Sequence, residues 1–151
     1  MRSGQLAPSE LRANRYSGRM PLRILYVEDN PLVREVTSEL LSQDAREVIA
    51  RSTAEEALTE FKLQSFDVVI TDISLPVMSG LDLARALLAL QPRVPIILAS
   101  GYALTSVVQN LGPNVRTIVK PFEAAEIDSL ITDLCAVRDD AARDDHAHDA
   151  A

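Results

Sequence analysis

Short apolar runs alternate with amphipathic segments along most of this 151-residue chain. Five apolar runs, each ended by polar residues, glycine or proline, are typical of buried strands: residues 22–27, 47–50, 66–71, 94–99 and 115–119. Between and after them, apolar residues recur at helical spacing over about 31–43, 53–62, 81–90, 102–110 and 127–134. This alternation predicts an α/β fold, a five-stranded parallel sheet with helices on both faces.

Capping residues mark the starts of two of these helices. Asn30 followed by Pro31 is typical of an N-cap and a first helical position. Thr53 with Glu56 predicts a capping box. The spacing also predicts buried faces on the first and last helices, formed by Leu32, Val33, Val36, Leu40 and Leu41 and by Ile127, Leu130, Ile131 and Leu134.

Composition excludes several classes of protein. No apolar run approaches the ~20 residues that a membrane span requires. A single cysteine, Cys135, excludes an intramolecular disulfide and a cysteine-based zinc site. The net charge of −7 argues against nucleic-acid binding through charge. We therefore expect one soluble, cytoplasmic domain that contacts neither a membrane nor a nucleic acid.

The two ends of the chain differ from its middle. Residues 1–21 carry four arginines and one glutamate without a periodic apolar pattern, which predicts a disordered basic arm. Alternatively, translation begins at Met20, and residues 1–19 are not part of the protein. Residues 138–151 carry five aspartates and two arginines but no large apolar side chain, which predicts a disordered acidic tail. Its two histidines, separated by one alanine, are better explained as solvated residues than as a metal site. The folded domain is expected over 22–137.

Polar side chains follow four of the predicted strands. Glu28 and Asp29 end the first strand, Asp72 the third, Ser100 the fourth and Lys120 the fifth. Each has an ordinary structural explanation alone, such as a solvated loop acid or a turn cap. Because the carboxyl ends of parallel strands share one edge of the sheet, neighbouring strands would bring all five residues into one crevice.

Three carboxylates at one place repel one another unless a cation lies among them. Oxygen ligands with positions left for water suit Mg²⁺. A carboxylate beside Mg²⁺ can attack a phosphoryl group in line, while an ammonium and a hydroxyl hold the phosphoryl oxygens. The five residues therefore predict covalent phosphorylation of an aspartate.

The chain resembles the response-regulator receiver domains of two-component signalling. The resemblance covers residues 22–137 and rests on Glu28-Asp29, Asp72, Pro76, Met78, Gly80, Ala99-Ser100 and Lys120-Pro121-Phe122. It implies a flavodoxin-like strand order, 2-1-3-4-5, and a phospho-acceptor role for Asp72. It also implies that Glu28, Asp29, Asp72 and the backbone carbonyl of Ser74 hold Mg²⁺, and that Ser100 and Lys120 bind the phosphoryl group. A cis peptide bond between Lys120 and Pro121 is expected as well.

The chain departs from the family pattern at the switch aromatic. Receivers usually carry Tyr or Phe three residues before the lysine, where this chain has Thr117. The segment Leu98 to Tyr102 is similar instead to single-domain receivers with a Phe-Ala-Thr-Gly-type motif. We expect Tyr102 and residues 101–112 to carry the conformational change; alternatively, the ring only limits access of water to the site.

The resemblance implies signalling in a phosphorelay rather than turnover of a separate substrate. The expected partners are a histidine kinase or histidine phosphotransfer protein and a downstream protein target, with a homodimer through the face from the fourth strand to the last helix as a further expectation. The chain is predicted to be a stand-alone receiver. Alternatives are a receiver module from a hybrid sensor histidine kinase and a constitutive, non-phosphorylated interaction module. The acidic Glu28-Asp29-Asn30-Pro31 segment argues against a nucleotide-binding loop and against an aspartyl-phosphate phosphatase.

Overall fold

A computed structural model describes residues 21–43, 45–103, 105–108 and 110–149. Strands and helices alternate along this part of the chain as predicted. The strands are β1 (Leu22–Val27), β2 (Arg46–Arg51), β3 (Val68–Asp72), β4 (Ile96–Ser100) and β5 (Val115–Val119). The helices are α1 (Pro31–Leu41), α2 (Ala54–Leu63), α3 (Gly80–Leu90), α4 (Thr105–Val108) and α5 (Ala124–Asp149).

The five strands form one parallel sheet in the order β2-β1-β3-β4-β5, which confirms the predicted fold. β3 lies at the centre, between β1 and β4. Val27 pairs with Thr71, Asp72 with Ala99, and Ser100 with Val119. This register aligns the carboxyl ends of the four strands that precede or contain the predicted polar residues.

Two hydrophobic cores cover the two faces of the sheet. Because side chains alternate along a strand, neighbouring residues of β1 belong to different cores: Leu25 and Val27 to one, Ile24 and Tyr26 to the other. The first core packs against α2 and α3 through Ala54, Ala57, Phe61, Leu83, Ala84 and Leu87. The second packs against α1 and α5 through Leu41, Ile127, Ile131 and Leu134. The predicted face of α5 is therefore confirmed.

The predicted buried face of α1 is only partly correct. Leu41 is buried, and Leu40 packs against the same core. Leu32 and Val36 are exposed instead, at 69% and 57%. The helix turns Thr37 toward the sheet, where it hydrogen-bonds with Tyr26. The half-buried side of α1 therefore includes the polar residues Arg34, Thr37 and Ser38 and is not the face that its apolar residues predict.

Side-chain caps begin the helices that flank the carboxyl edge of the sheet. The Asn30 side chain accepts hydrogen bonds from the N–H groups of Leu32 and Val33, as predicted. The Thr53 hydroxyl accepts a hydrogen bond from the N–H of Glu56, which is one half of the predicted box. The Glu56 carboxylate accepts from the hydroxyls of Ser52 and Thr53 and not from the backbone N–H of Thr53, so the other half does not form. A full box forms at Ser79 and Asp82, which the sequence analysis missed because aspartate replaces the usual glutamate at that position.

Some element boundaries differ from those predicted. β4 begins at Ile96, since Pro95 has no N–H to donate to the ladder. α4 is shorter than the predicted 102–110 segment. α5 continues to Asp149, whereas a disordered tail is predicted from residue 138; alanine and arginine favour the helix, and extending a helix is easier than nucleating one. The predicted arm over residues 1–20 lies outside the described residues.

Candidate functional site

The carboxylates of Glu28, Asp29 and Asp72 meet at the carboxyl edge of the sheet. One oxygen from each lies within 4.8 Å of the others. Glu28 is buried, Asp72 is half-buried and Asp29 is exposed, so the cluster opens to solvent on one side. The sequence prediction that these three residues converge is therefore met by the fold.

Lys120 contacts two of the three carboxylates. Its Nζ lies 2.9 Å from Glu28 Oε1 and 3.1 Å from Asp72 Oδ2. The backbone N–H of Lys120 donates to Ser100 O at 2.7 Å, and the Lys120–Pro121 peptide bond is cis. Burial alone would lower the pKa of Lys120, but the hydrogen bonds to Glu28 and Asp72 outweigh it and raise that pKa above its ordinary value.

Glu28 is a charged residue in an unusual position. Its side chain is 2% exposed, and its Oε2 has no hydrogen-bond partner among the described residues. Burial raises the pKa of Glu28, and the neighbouring Asp72 carboxylate raises it further. A buried carboxylate oxygen without a partner is costly, and a bound cation would satisfy it.

The donor set fits a divalent, oxygen-binding cation. Three ionised carboxylates and one ammonium leave two negative charges uncompensated. Lys120 occupies only one oxygen each of Glu28 and Asp72, which leaves Glu28 Oε2 and the exposed Asp29 available. All available ligands are oxygens, as Mg²⁺ prefers, and the open side leaves room for its water molecules.

The loop after β3 fixes Asp72 at the centre of this cluster. The N–H of Ser74 donates to Asp72 Oδ1 at 3.3 Å, and the N–H of Gly80 donates to Ile73 O at 2.9 Å. A Cβ on Gly80 would lie 2.1 Å from the carbonyl oxygen of Asp72. The start of α3 therefore approaches the Asp72 backbone as closely as only glycine permits.

Ser100 and Tyr102 lie at the end of β4. Ser100 is buried, and its Oγ accepts a hydrogen bond from the N–H of Tyr102 at 3.2 Å. The Tyr102 ring is 65% exposed. Thr117, on the neighbouring strand, pairs with Leu98. The backbone thus connects the predicted switch hydroxyl directly to Tyr102.

Arg34 is a residue near the site that the sequence analysis missed. It lies on α1, and its Nη1 donates to the carbonyl oxygens of Glu28 at 2.9 Å and Asp29 at 3.4 Å. A cation in the first turn of a helix is electrostatically unfavourable, because the helix N-terminus carries partial positive charge. An arginine so close to the start of a predicted helix is the feature of the sequence that could have indicated a contact with the preceding loop.

Comparison with known proteins gives the same result as the geometry. A family model described as the response regulator receiver domain matches residues 24–132. Response regulator protein FleR of Pseudomonas aeruginosa is 32% identical over 114 residues, which are 74% of this chain and 24% of FleR. The chain spans about a quarter to about a half of the length of the curated relatives it matches.

Two solved structures share the fold. The receiver domain of sensor histidine kinase PA1611 from Pseudomonas aeruginosa, described with a magnesium ion in its active-site cleft, is 28% identical with a TM-score of 0.69 and covers 77% of this chain and 98% of that one. Response regulator TrrA from Thermotoga maritima, in complex with Mg²⁺–BeF, is 31% identical with a TM-score of 0.68 and covers 74% and 97%. With its strand order and its acidic cluster, the chain belongs to the response regulator receiver domains of two-component phosphorelays.

Proposed function

We propose that this chain is a Mg²⁺-dependent receiver in which Asp72 accepts a phosphoryl group. The observation that carries the proposal is the position of Asp72 between Lys120 and the two other carboxylates, beside a buried Glu28 oxygen that lacks a partner. A surface salt bridge would not require that arrangement, because solvated acids need neither burial nor convergence.

In the proposed reaction, an Asp72 carboxylate oxygen attacks the phosphorus of a phosphohistidine in line. An oxygen–phosphorus bond forms, the nitrogen–phosphorus bond breaks, and the donor histidine leaves with its electron pair and takes up a proton. Hydrolysis by water returns the aspartate and inorganic phosphate. The chain catalyses only its own phosphorylation and dephosphorylation and turns over no separate substrate.

The residues that would hold Mg²⁺ are Glu28, Asp29, Asp72 and the backbone carbonyl of Ser74. When bound, the ion would neutralise charge on the carboxylates and on the incoming phosphoryl oxygens. Lys120 already lies 3.1 Å from Asp72 Oδ2, so its ammonium is placed to pair with a phosphoryl oxygen on that residue.

Ser100 is the proposed switch hydroxyl. Its Oγ is held by the N–H of Tyr102, so movement of Ser100 toward a phosphoryl group would break or shift that bond. Tyr102 and the segment that follows it would then change position, and a protein-binding surface would change with them. The alternative role for the exposed Tyr102 ring is to limit access of water to the phosphorylated site.

The proposed partners are a histidine kinase or histidine phosphotransfer protein as donor and a downstream protein as target, in the cytoplasm. No helix in the part of the chain that the structure describes combines the length and the apolarity that crossing a membrane demands.

The face from β4 to α5 exposes Tyr102, Val119 and Val137 and is the proposed homodimer surface. The proposal applies equally to a stand-alone receiver and to a receiver module of a hybrid sensor kinase.

The test is phosphorylation by a small donor. We expect acetyl phosphate with Mg²⁺ to add one phosphoryl group to the wild-type chain, seen by intact mass. Omission of Mg²⁺ and the Asp72→Asn substitution should each abolish the addition. An unmodified wild type, or modification that persists in Asp72→Asn, would overturn the proposal. A wild type that stays unmodified but binds a partner would favour the constitutive interaction module.

A further inference from the structure

Arg34 joins the backbones of both acidic residues that follow β1. Its half-buried side chain extends from α1 back toward the strand, where Nη1 donates to the carbonyl oxygens of Glu28 and Asp29. The N–H of Glu28 donates in turn to Arg51 O at 3.1 Å. The Glu28 backbone is therefore held from both sides, by β2 through its N–H and by α1 through its carbonyl.

The two cations near the cluster use different acceptors. Lys120 donates to carboxylate oxygens of Glu28 and Asp72, which would otherwise be available to an ion. Arg34 donates to carbonyl oxygens and leaves the carboxylates unoccupied. Its guanidinium thus contacts the backbone of the two acidic residues, while their side chains remain available as ligands.

From this geometry we infer that Arg34 is a positioning residue for the divalent cation: it holds the Glu28–Asp29 backbone so that both carboxylates point at one ion together with Asp72. The inference rests on the cation binding in the proposed function. Groups that orient metal ligands without touching the metal commonly change metal affinity by about 10- to 100-fold when removed. A residue that only stabilised the start of α1 would change thermal stability and leave the affinity of the folded chain unchanged.

The experiment is a calorimetric titration of the full chain with MgCl₂ in the absence of any phosphodonor. Arg34→Met removes the charge and both hydrogen bonds but keeps an unbranched, helix-favouring side chain. Arg34→Lys keeps the charge on a shorter side chain, which we expect to retain at most one of the two hydrogen bonds. Arg85→Met is the matched control, because Arg85 is an exposed arginine on α3 whose Nη1 lies 3.9 Å from Asp82.

We expect the Mg²⁺ dissociation constant to rise about tenfold in Arg34→Met and several-fold in Arg34→Lys, and to stay at the wild-type value in Arg85→Met. The rise of the melting temperature on addition of Mg²⁺ should shrink in the same order. Should Arg34→Met fail to fold, Arg34→Lys carries the test alone.

Three outcomes would overturn the inference. Wild-type affinity in both Arg34 variants would show a purely structural residue. Wild-type affinity in Arg34→Lys, with equal gains in affinity in Arg34→Met and Arg85→Met, would show that only net charge matters, since loss of either positive charge favours a bound cation. A wild-type chain that binds no Mg²⁺ would overturn the proposed function as well, whereas normal binding by wild type and both Arg34 variants would overturn this inference alone.

Discussion

Val77 adopts a left-handed backbone conformation, with φ of 67°, although its side chain branches at Cβ. That conformation is unfavourable for L-residues and especially for branched ones. The side chain is 99% exposed, so packing does not offset the strain. The loop holds it there through the buried Leu75 and through hydrogen bonds to Ile73 O from the N–H groups of Leu75 and Gly80.

We expect Val77→Asn to raise the free energy of unfolding by about 1 kcal/mol, because asparagine tolerates the left-handed region. Urea denaturation measures the change. Val36→Asn is the control, since Val36 is also exposed but lies within α1, where valine and asparagine have similar helix propensities; it should stay within about 0.5 kcal/mol of wild type. Equal effects at both positions would rule out strain at Val77.

Gly80 combines a helical position with a close approach to the acceptor strand. Alanine would favour the helix by roughly 1 kcal/mol, but its Cβ would lie 2.1 Å from the Asp72 carbonyl oxygen. We expect Gly80→Ala to lower the unfolding free energy by roughly 2 kcal/mol and to weaken Mg²⁺ binding, because the Asp72 backbone must shift.

Gly101→Ala is the control for Gly80→Ala. A Cβ on Gly101 meets no atom within 4 Å, so this variant should unfold at the wild-type urea concentration. A Gly80→Ala variant as stable as Gly101→Ala would contradict the close approach seen at the start of α3.

Tyr26 should make stability depend on pH in the alkaline range. Burial, with a smaller contribution from the Glu28 carboxylate, raises its pKa to about 12 from an ordinary value near 10. Above pH 10 the unfolded chain loses the Tyr26 proton before the folded chain does. The contribution of neutral Tyr26 to the free energy of unfolding is therefore complete below pH 10 and is lost between pH 10 and 12. We expect the wild type to lose roughly 2 kcal/mol relative to Tyr26→Phe over that range. A difference between the two that stays constant with pH would contradict the assignment.

The sequence predicts the residues of the site better than it predicts their contacts. Glu28, Asp29, Asp72 and Lys120 are visible because a polar residue ends an apolar strand, and the strand order brings the ends together. The contacts of Arg34 and Gly80 depend on how α1 and α3 approach the sheet, which local sequence does not encode. Leu32 and Val36 lie on the exposed side of α1 for the same reason: the rotation of the helix depends on how it packs against the sheet, which leaves Thr37 half-buried in place of Val36.

At the scale of elements, an ion pair ties the edge strand β2 to α5. Arg46 Nη1 lies 2.6 Å from Asp128 Oδ1, and the Arg46 side chain is 10% exposed against 43% for Asp128. The two partners therefore differ in what their removal leaves behind. Loss of Asp128 leaves a nearly buried guanidinium without this carboxylate, whereas loss of Arg46 leaves an aspartate that water can reach.

We expect Asp128→Ala to lower the unfolding free energy by about 2 kcal/mol and Arg46→Met by about 1 kcal/mol or less. The double variant should be no less stable than Asp128→Ala, because it leaves no buried charge. Urea denaturation of the four proteins gives the coupling energy. Equal losses in the two single variants, adding fully in the double variant, would show that the pair contributes no coupling.

At the scale of the whole molecule, the fold brings like charges together at one place. The chain carries a net charge of −7, and three of its carboxylates converge on a single crevice. The two cores on the faces of the sheet hold these like charges together before any ion binds. Burial of apolar side chains in the two cores therefore offsets the repulsion among these carboxylates. Mg²⁺ that binds the folded chain should stabilise it further by mass action.

The position where the folded domain ends along α5 can be tested by truncation. The residues of α5 that pack in the core are Ile127, Ile131 and Leu134, with Leu130 and Cys135 beside them. We expect a chain that ends after Val137 to unfold within about 1 kcal/mol of the full chain and to bind Mg²⁺ equally well, because its buried apolar surface is retained. Leu134→Ala, which empties a buried position in the full chain, should cost about 2–5 kcal/mol. If truncation destabilises the chain as much as Leu134→Ala does, residues 138–149 pack against the domain and the boundary at 137 is wrong.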